Sequence, residues 1–340
     1  MRRLCAAGFL AGLCLITACS SPPGGTRAAS PATPTATGNT GATVSPASPA
    51  APSGPASPAV RSGPASPAVR NSQAASPLAQ PPPAPAVTTT RMRLADGSAV
   101  TVATFSGPVQ YVLHNGSGDP GAAAASVVRA GPEVTGAERK RLLAAFNGGF
   151  KLGAGVGGYE QEGHVISPLR RGYASLVIDR SGRASIGIWG SGVPEPGQAV
   201  YSVRQNLQPL VMDSKPTGAA SDWGLWGSTL GGGEYVARSA VGQNASGDLI
   251  YAASMSAAPA DLAMALARSG ARIAMELDIN PEWVQLDVAR QPGGPLRAAV
   301  PGQNRPADQY LYGWTRDFFT VLAPSAGPQA RYQVSRQLRP

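Results

Sequence analysis

The segment "AMELDIN", residues 274–280, carries an acidic or amide side chain at every second position. Alternate side chains of a β-strand point to one face, so Glu276, Asp278 and Asn280 would form a polar row with neighbouring Cα atoms roughly 6.5 Å apart. Two carboxylates at this spacing suit acid/base cleavage of a glycosidic bond, and each raises the proton affinity of the other. A solvated sheet face is the structural alternative. A calcium or magnesium ion bound by the three side chains is a further alternative, because hard cations prefer oxygen ligands.

Two other segments carry candidate binding residues. In "AAFNGGFK", Asn147 and Gly148 would let a ligand approach the backbone and offer N–H groups to an anion, although the same letters fit a helix C-cap. In "ARSAVGQN", Arg238 would hold a phosphate through two parallel hydrogen bonds, although a lone arginine is more often solvated. Both segments therefore predict substrate-binding residues, each with a purely structural alternative.

Several common catalytic chemistries lack their sequence signatures. The chain has two histidines, His114 and His164, and it has no GxSxG segment to supply a Ser-His-Asp hydrolase. No HExxH segment or His-Cys cluster indicates zinc. All three cysteines lie before residue 20, which excludes disulfides and thiolate catalysis from the rest of the chain. No cofactor is predicted apart from the calcium or magnesium ion that Glu276, Asp278 and Asn280 could bind.

The first 19 residues, "MRRLCAAGFLAGLCLITAC", predict an export signal. Two arginines precede an apolar run that is short for a membrane span, and small residues follow it. The end of the run, "ITAC", resembles the lipobox of bacterial lipoproteins, in which the peptide is cut before the cysteine and the thiol is acylated. Cys19 would then anchor the protein to the extracytoplasmic face of the cell membrane. A plain signal peptide is the alternative.

Residues 20–90 predict a disordered tether. Alanine, proline and serine dominate this stretch, and "SGPASPAVR" occurs at 53–61 and again at 62–70. Such a composition buries too little apolar surface to offset chain entropy. The formal net charge is +9, and five arginines lie in the first 90 residues, which leaves +4 for the remainder. The net positive charge favours binding to anionic envelope polymers or lipid head groups, and no sequence motif indicates binding to nucleic acid.

Residues 91–325 predict one α+β domain with a large mixed, mostly antiparallel sheet system and a few helices, followed by a tail at 326–340. Strands are expected in "AVTVATF", "VQYVLHN", "EWVQLDVA" and "TRDFFTVLA", and hairpins in "YASLVIDRSGRASIGIW" and "ARSAVGQNASGDLIYAAS". The capping pair Thr135 and Glu138 predicts a helix over "TGAERKRLLAAF" that stops at "NGGF". A second helix in "PADLAMALARSG" leads into the strand that holds "AMELDIN".

Taken in order, these segments, with "GYEQEGHVI" and "VRQNLQPLVMD", resemble the phosphodiester glycosidase family. The family includes an N-acetylglucosamine-1-phosphodiester alpha-N-acetylglucosaminidase and bacterial envelope proteins, and the likeness spans about residues 105–286. It implies hydrolysis of a sugar-1-phosphodiester. The resemblance places these residues at family motif positions: Asn147, Gly148, Asp213, Arg238, Gly242 and Asp278. His164, in "GYEQEGHVI", is also predicted to bind the substrate.

The sequence departs from the family after Asp278. A glycine-rich run is common there, whereas this chain reads "DINPEW", and Pro281 has no N–H to offer a phosphate. Three hypotheses stay open. The first is a hydrolase in which Glu276 and Asp278 act as acid and base while Arg238 and Asn147 hold the phosphate. The second is a non-catalytic module that binds an envelope glycan or glycosyl phosphate, and the third is a surface protein with a structural cation.

Overall fold

The computed structural model describes residues 86–228 and 232–325, which all belong to one compact unit. The predicted leader at 1–19 with Cys19, the tether as far as residue 85 and the tail at 326–340 lie outside the described residues. None of the helices described is long and apolar enough to cross a membrane.

The strands of the described chain are short and follow one another closely. They are β1 (Ala86–Arg93), β2 (Ala99–Ser106), β3 (Gln110–His114), β4 (Leu142–Asn147), β5 (Tyr159–Gln161), β6 (His164–Ser167), β7 (Ala174–Asp179), β8 (Ala184–Ile188), β9 (Val200–Gln205), β10 (Pro209–Met212), β11 (Lys215–Pro216), β12 (Val236–Asn244), β13 (Leu249–Ala257), β14 (Ala271–Glu276), β15 (Leu286–Ala289), β16 (Leu296–Ala298) and β17 (Phe318–Leu322).

Helices are few among these residues. The α-helices are α1 (Ala122–Ala125), α2 (Gly136–Arg139) and α3 (Pro259–Arg268). Single 3-10 turns occur at Leu152–Ala154, Gly218–Ser221, Trp223–Leu225 and Gln309–Leu311.

Three sheets organise the strands. The first has the order β1-β2-β13-β12-β14-β10-β11, the second β16-β15-β4-β17-β3 and the third β6-β5-β9-β7-β8. Every strand pair in these sheets is antiparallel. The predicted α+β class with a large, mostly antiparallel sheet system is therefore confirmed.

The main hydrophobic core lies where the three sheets face one another. It joins Phe105 and Tyr251 of the first sheet, Phe146 and Phe319 of the second, and Leu176 of the third. The opposite face of the first sheet is covered by α3, and burial of this apolar surface is the main driving force for folding. The first sheet is thus buried on both faces, and any charged side chain in its centre must find a partner inside the protein.

Local sequence signals predicted several of these elements correctly. The two predicted hairpins form as β7–β8 and β12–β13. Helix α3 begins with Pro259, and the carboxylate of Asp261 accepts a 2.8 Å hydrogen bond from the N–H of Ala258. The helix ends before Gly270, whose φ of +94° favours glycine.

The predicted helix at 135–146 is wrong. Only Gly136–Arg139 is helical, and residues 142–147 form β4, which is buried on both faces between β15 and β17. The side chain of Thr135 makes no cap hydrogen bond. The carboxylate of Glu138 instead accepts hydrogen bonds from Thr320 and contacts the ring of His114.

Two boundaries also differ from the sequence expectation. Strand β1 begins at Ala86, so residues 86–90 of the predicted tether pair with β2 at the edge of the first sheet. Strand β14 ends at Glu276, whereas a longer strand through Asn280 was expected. Asp278 and Asn280 consequently lie in the segment that leaves the sheet, and this change of direction shapes the candidate site.

Candidate functional site

Glu276 ends β14 in the interior of the first sheet, and its side chain is 0% exposed. Its Oε1 lies 2.8 Å from Nη1 of Arg238, which projects from the neighbouring strand β12. Arg238 also donates to the carbonyl oxygens of Ala257 and Trp226. Within the described residues, Oε2 of Glu276 and Nη2 of Arg238 have no hydrogen-bond partner. Burial raises the pKa of Glu276 to about 8 although Arg238 favours the ionised form.

Asp278 lies two residues farther on, at the outer edge of the same region. Its Oδ2 is 2.8 Å from Nη2 of Arg316, and its Oδ1 accepts a hydrogen bond from the N–H of Asn280. The side chains of Asp278 and Arg316 are each 6% exposed. Burial raises the pKa of Asp278 to about 6, and Arg316 opposes this rise. Asp278 is therefore buried as well, but unlike Glu276 it keeps a small exposed fraction.

Backbone hydrogen bonds fix the position of Asp278. Its N–H donates to the carbonyl oxygen of Gly148 at 3.0 Å, and its own carbonyl oxygen accepts from the N–H and the hydroxyl of Ser239. The segment is thus held between β12 and the turn after β4. Two elements far apart in sequence determine where the carboxylate points.

The Asn147–Gly148 pair has a structural role in this arrangement. The side chain of Asn147 donates to Ser239 and to the Gly148 carbonyl, and its Oδ1 accepts from Tyr251 and from the N–H of Gln285. The N–H of Gly148 donates to the carbonyl oxygen of Asp317. A Cβ at position 148 would lie 2.7 Å from that oxygen, so the close approach requires glycine. These polar groups are already bonded within the protein.

A third ion pair lies beside this turn. Asp317, directly after Arg316, pairs through Oδ2 with Nε of Arg204 at 2.7 Å, and both side chains are 1% exposed. Arg204 also donates to the carbonyl oxygen of Phe150. Together the pairs Arg238–Glu276, Arg316–Asp278 and Arg204–Asp317 form what we call the ion-pair cluster. Its members converge on the Asn147–Phe150 turn.

The other predicted site residues are distributed differently. Asn280 is half-buried beside Asp278, and its Oδ1 accepts from the N–H of Glu282. Gly242 lies in β12, where its Cα packs against β14. Asp213 occupies the exposed turn between β10 and β11 with a φ of 49°, and exposed His164 begins β6 in the third sheet. The described contacts of Asp213 and His164 do not include the ion-pair cluster.

Each carboxylate of the polar row has an arginine partner, which is unlike a cation site. Within residues 86–228 and 232–325, no three His, Cys, Asp or Glu side chains come together as metal ligands. The calcium or magnesium alternative therefore has no third carboxylate or histidine to support it in this part of the chain.

Sequence reasoning missed Arg204, Arg316 and Asp317. Each contacts a partner distant in sequence, and 113 residues separate Arg204 from Asp317. One local signal was present in "TRDFFTVL", where opposite charges stand directly ahead of a mainly apolar strand. Charges adjoining a buried strand need partners inside the protein, so this pattern indicates an ion pair.

Two cavities of the described chain are lined by residues outside the ion-pair cluster. One of about 480 Å³ is lined by residues that include Arg91, Asp96 and Tyr235. Another, of about 370 Å³, is lined by residues that include Arg141 and Glu162. The cluster itself is a closed polar core with one edge, at Asp278 and Arg316, near the surface.

Comparison with known proteins gives structural likenesses at low identity. No protein-family model and no curated protein sequence matches the chain. The zebrafish N-acetylglucosamine-1-phosphodiester alpha-N-acetylglucosaminidase catalytic domain, auto-inhibited by its pro-peptide, has a TM-score of 0.45 and 14% identity, covering 71% of this chain and 83% of that one. A hypothetical protein from Synechocystis has a TM-score of 0.45 and 12% identity, covering 71% and 62%. An exported protein from Burkholderia pseudomallei has a TM-score of 0.36 and 14% identity, covering 66% and 74%. Likenesses this distant assign no activity and no residue role to this chain.

Proposed function

We propose that this protein is a hydrolase that cleaves a sugar-1-phosphodiester, with Asp278 as the general base. One observation carries the proposal: Asp278 combines a raised pKa with a small exposed fraction at the outer edge of the ion-pair cluster, whereas Glu276 is fully enclosed. Perturbed carboxylates at such edges are common in catalytic sites. The order of sequence motifs that resembles the phosphodiester glycosidase family supports the same reaction.

The hydrogen bonds of Asp278 fit a base. Both of its oxygens accept, one from Arg316 and one from the N–H of Asn280, as an ionised carboxylate does. A pKa of about 6 leaves it mainly ionised at neutral pH and still basic enough to take a proton from water.

The proposed hydrolysis forms one bond to the anomeric carbon and breaks another. Water adds its oxygen to the anomeric carbon while the bond from that carbon to the phosphate oxygen breaks. The electron pair of that bond leaves with the phosphate monoester, and Asp278 receives the proton that water releases. The free sugar and the phosphate monoester are the products, and the ionised Asp278 carboxylate stabilises the positive charge that develops at the anomeric carbon.

Glu276 and Arg238 have a positioning role in this proposal. Both side chains are fully buried and contact each other, so a substrate meets neither without opening the first sheet. They lie directly behind the segment that carries Asp278. Asn147 acts in the same way, because its side-chain hydrogen bonds tie β4 to Ser239 and Tyr251.

The proposed location is the extracytoplasmic face of the cell membrane, with the protein anchored through a lipid on Cys19. The support is the sequence of the leader and its lipobox-like "ITAC". An envelope glycan or glycosyl phosphate is the substrate class that this location would supply. The basic tether would add attraction to anionic surfaces.

The test is hydrolysis of a panel of sugar-1-phosphodiesters, including an N-acetylglucosamine phosphodiester, by the purified full chain. Asp278→Asn should abolish sugar release, and Asp96→Asn is the matched control because the same change is made at the exposed turn between β1 and β2. Sugar-phosphate binding without hydrolysis across the panel would favour the non-catalytic binding module. Sugar release that survives Asp278→Asn would overturn the assigned base.

A further inference from the structure

The segment that follows Asp278 brings an aromatic ring to the candidate base. In "DINPEW", the N–H of Trp283 donates to the carbonyl oxygen of Asn280, which closes a tight turn. The turn directs the half-buried indole of Trp283 toward Arg316, whose guanidinium carbon lies 5.6 Å from the ring centroid. Arg316 is also the partner of Asp278, so Trp283 adjoins the proposed catalytic edge.

A second arginine lies over the same ring. The guanidinium carbon of Arg305 is 5.2 Å from the Trp283 centroid, and its side chain is 39% exposed. Arg305 comes from the loop after β16. This loop is joined to the "DINPEW" segment because Asn304 donates to Oε1 of Glu282 and Arg305 pairs with Oε2 of Glu282.

The two arginines differ in how their Nε groups are paired. Among the described residues, the buried Nε of Arg305 has no hydrogen-bond partner, whereas the Nε of Arg316 forms an ion pair with Oδ2 of Asp119 at 3.6 Å. An N–H that is withdrawn from water without a partner is unfavourable, and an anion that accepts from it would remove the cost. Arginine is well suited to phosphate because its planar fork matches phosphate oxygens.

We infer that Trp283, Arg305 and Arg316 form an anion subsite that receives the phosphate half of a phosphodiester substrate. The inference rests on the proposed function and gives it a phosphate-binding element made from the "DINPEW" segment, the loop after β16 and Arg316. Arg238, the residue first expected to hold phosphate, is fully buried against Glu276, whereas Arg305 is partly exposed beside Trp283.

The carboxylate of Glu282 would compete with phosphate for Arg305. This carboxylate is 48% exposed and accepts from Arg305 at 2.9 Å, so it occupies the place that a phosphate oxygen would take. A purely structural salt bridge and an anion subsite then predict different results for neutralising variants. Removing either charge weakens a purely structural salt bridge in the same way. For an anion subsite, removal of the Arg305 charge should lower the phosphate affinity and removal of the Glu282 charge should raise it.

The first experiment measures binding of inorganic phosphate to the full chain by titration calorimetry, which needs no turnover. Arg305→Gln should weaken binding about tenfold, and Glu282→Gln should strengthen it several-fold. Arg297→Gln, at an exposed position of β16, is the control and should leave binding unchanged. Equal phosphate affinity in the parent, Arg305→Gln and Glu282→Gln chains would overturn the inference, as would weakening by both changes.

A kinetic arm separates this inference from the proposed function. For a hydrolysed phosphodiester, Arg305→Gln should raise KM about tenfold with little change in kcat, because the contact is made by substrate and transition state alike. If hydrolysis depends on Asp278 but KM is the same in the parent, Arg305→Gln and Glu282→Gln chains, the proposed subsite is refuted and the proposed hydrolase function is retained. If phosphate binding follows the predicted charge pattern but no phosphodiester is cleaved, the subsite stands and the hydrolase is wrong.

Discussion

Replacing Glu276 by glutamine should flatten the pH dependence of stability. Unfolded Glu276 loses its proton near its ordinary pKa of 4.5, whereas burial raises the folded pKa to about 8. Between these values the folded protein holds one more proton than the unfolded chain, so the free energy of unfolding falls as pH rises. Glutamine keeps an oxygen for Arg238 and removes the titration.

The magnitude follows from the width of this window. Each pH unit inside it lowers the free energy of unfolding by about 1.4 kcal/mol, so the contribution of Glu276 from about pH 5.5 to about pH 8 is on the order of 3 kcal/mol. Asp278 and Asp287, with pKa values raised to about 6 and about 7, act with the same sign in both proteins. Their contributions cancel when the two profiles are subtracted.

Urea denaturation of the parent and Glu276→Gln chains across this pH range measures the difference. We expect the parent to lose stability relative to the variant as pH rises, by about 3 kcal/mol over the range. Glu133→Gln, the same change at an exposed position, is the matched control. Parallel profiles for the parent and Glu276→Gln would refute the argument that Glu276 holds its proton at neutral pH.

Two further predictions test the Asn147–Phe150 turn and the lipid anchor at Cys19. Gly148→Ala should lower the free energy of unfolding by about 1–3 kcal/mol, because the added Cβ meets both the carboxylate and the backbone oxygen of Asp317; Gly153→Ala, where nothing lies within 4 Å, should be neutral in the same urea assay. Cys19→Ser should remove the protein from the membrane fraction. The N-terminal peptide of the variant should lack the mass of the attached lipid. Membrane retention and an unchanged N-terminal mass in this variant would contradict anchoring at Cys19.

Local sequence patterns were enough for the hairpins and for α3. Strands β7 and β8 alternate around "RSG", and α3 begins with proline and ends before Gly270. Strand β4 was missed for a physical reason. All six of its residues are buried, so it shows no alternation, and "LLAA" consists of strong helix formers. Tertiary packing between β15 and β17 overrides that helical preference.

The candidate site was predictable only in part. Period-two spacing singled out Glu276 and Asp278, and the structure buries both. The spacing did not reveal their different environments, because the strand ends at Glu276 and the chain turns before Asp278. Their arginine partners lie 38 residues away in sequence in each case, so no local pattern identifies them.

The pH dependence of kcat/KM for sugar-1-phosphodiester hydrolysis tests the assignment of Asp278 as general base most directly. The account predicts a plateau near neutral pH and a tenfold fall per pH unit below about pH 6, where Asp278 takes up a proton. A rate that stays constant or increases as pH falls through this range would contradict it.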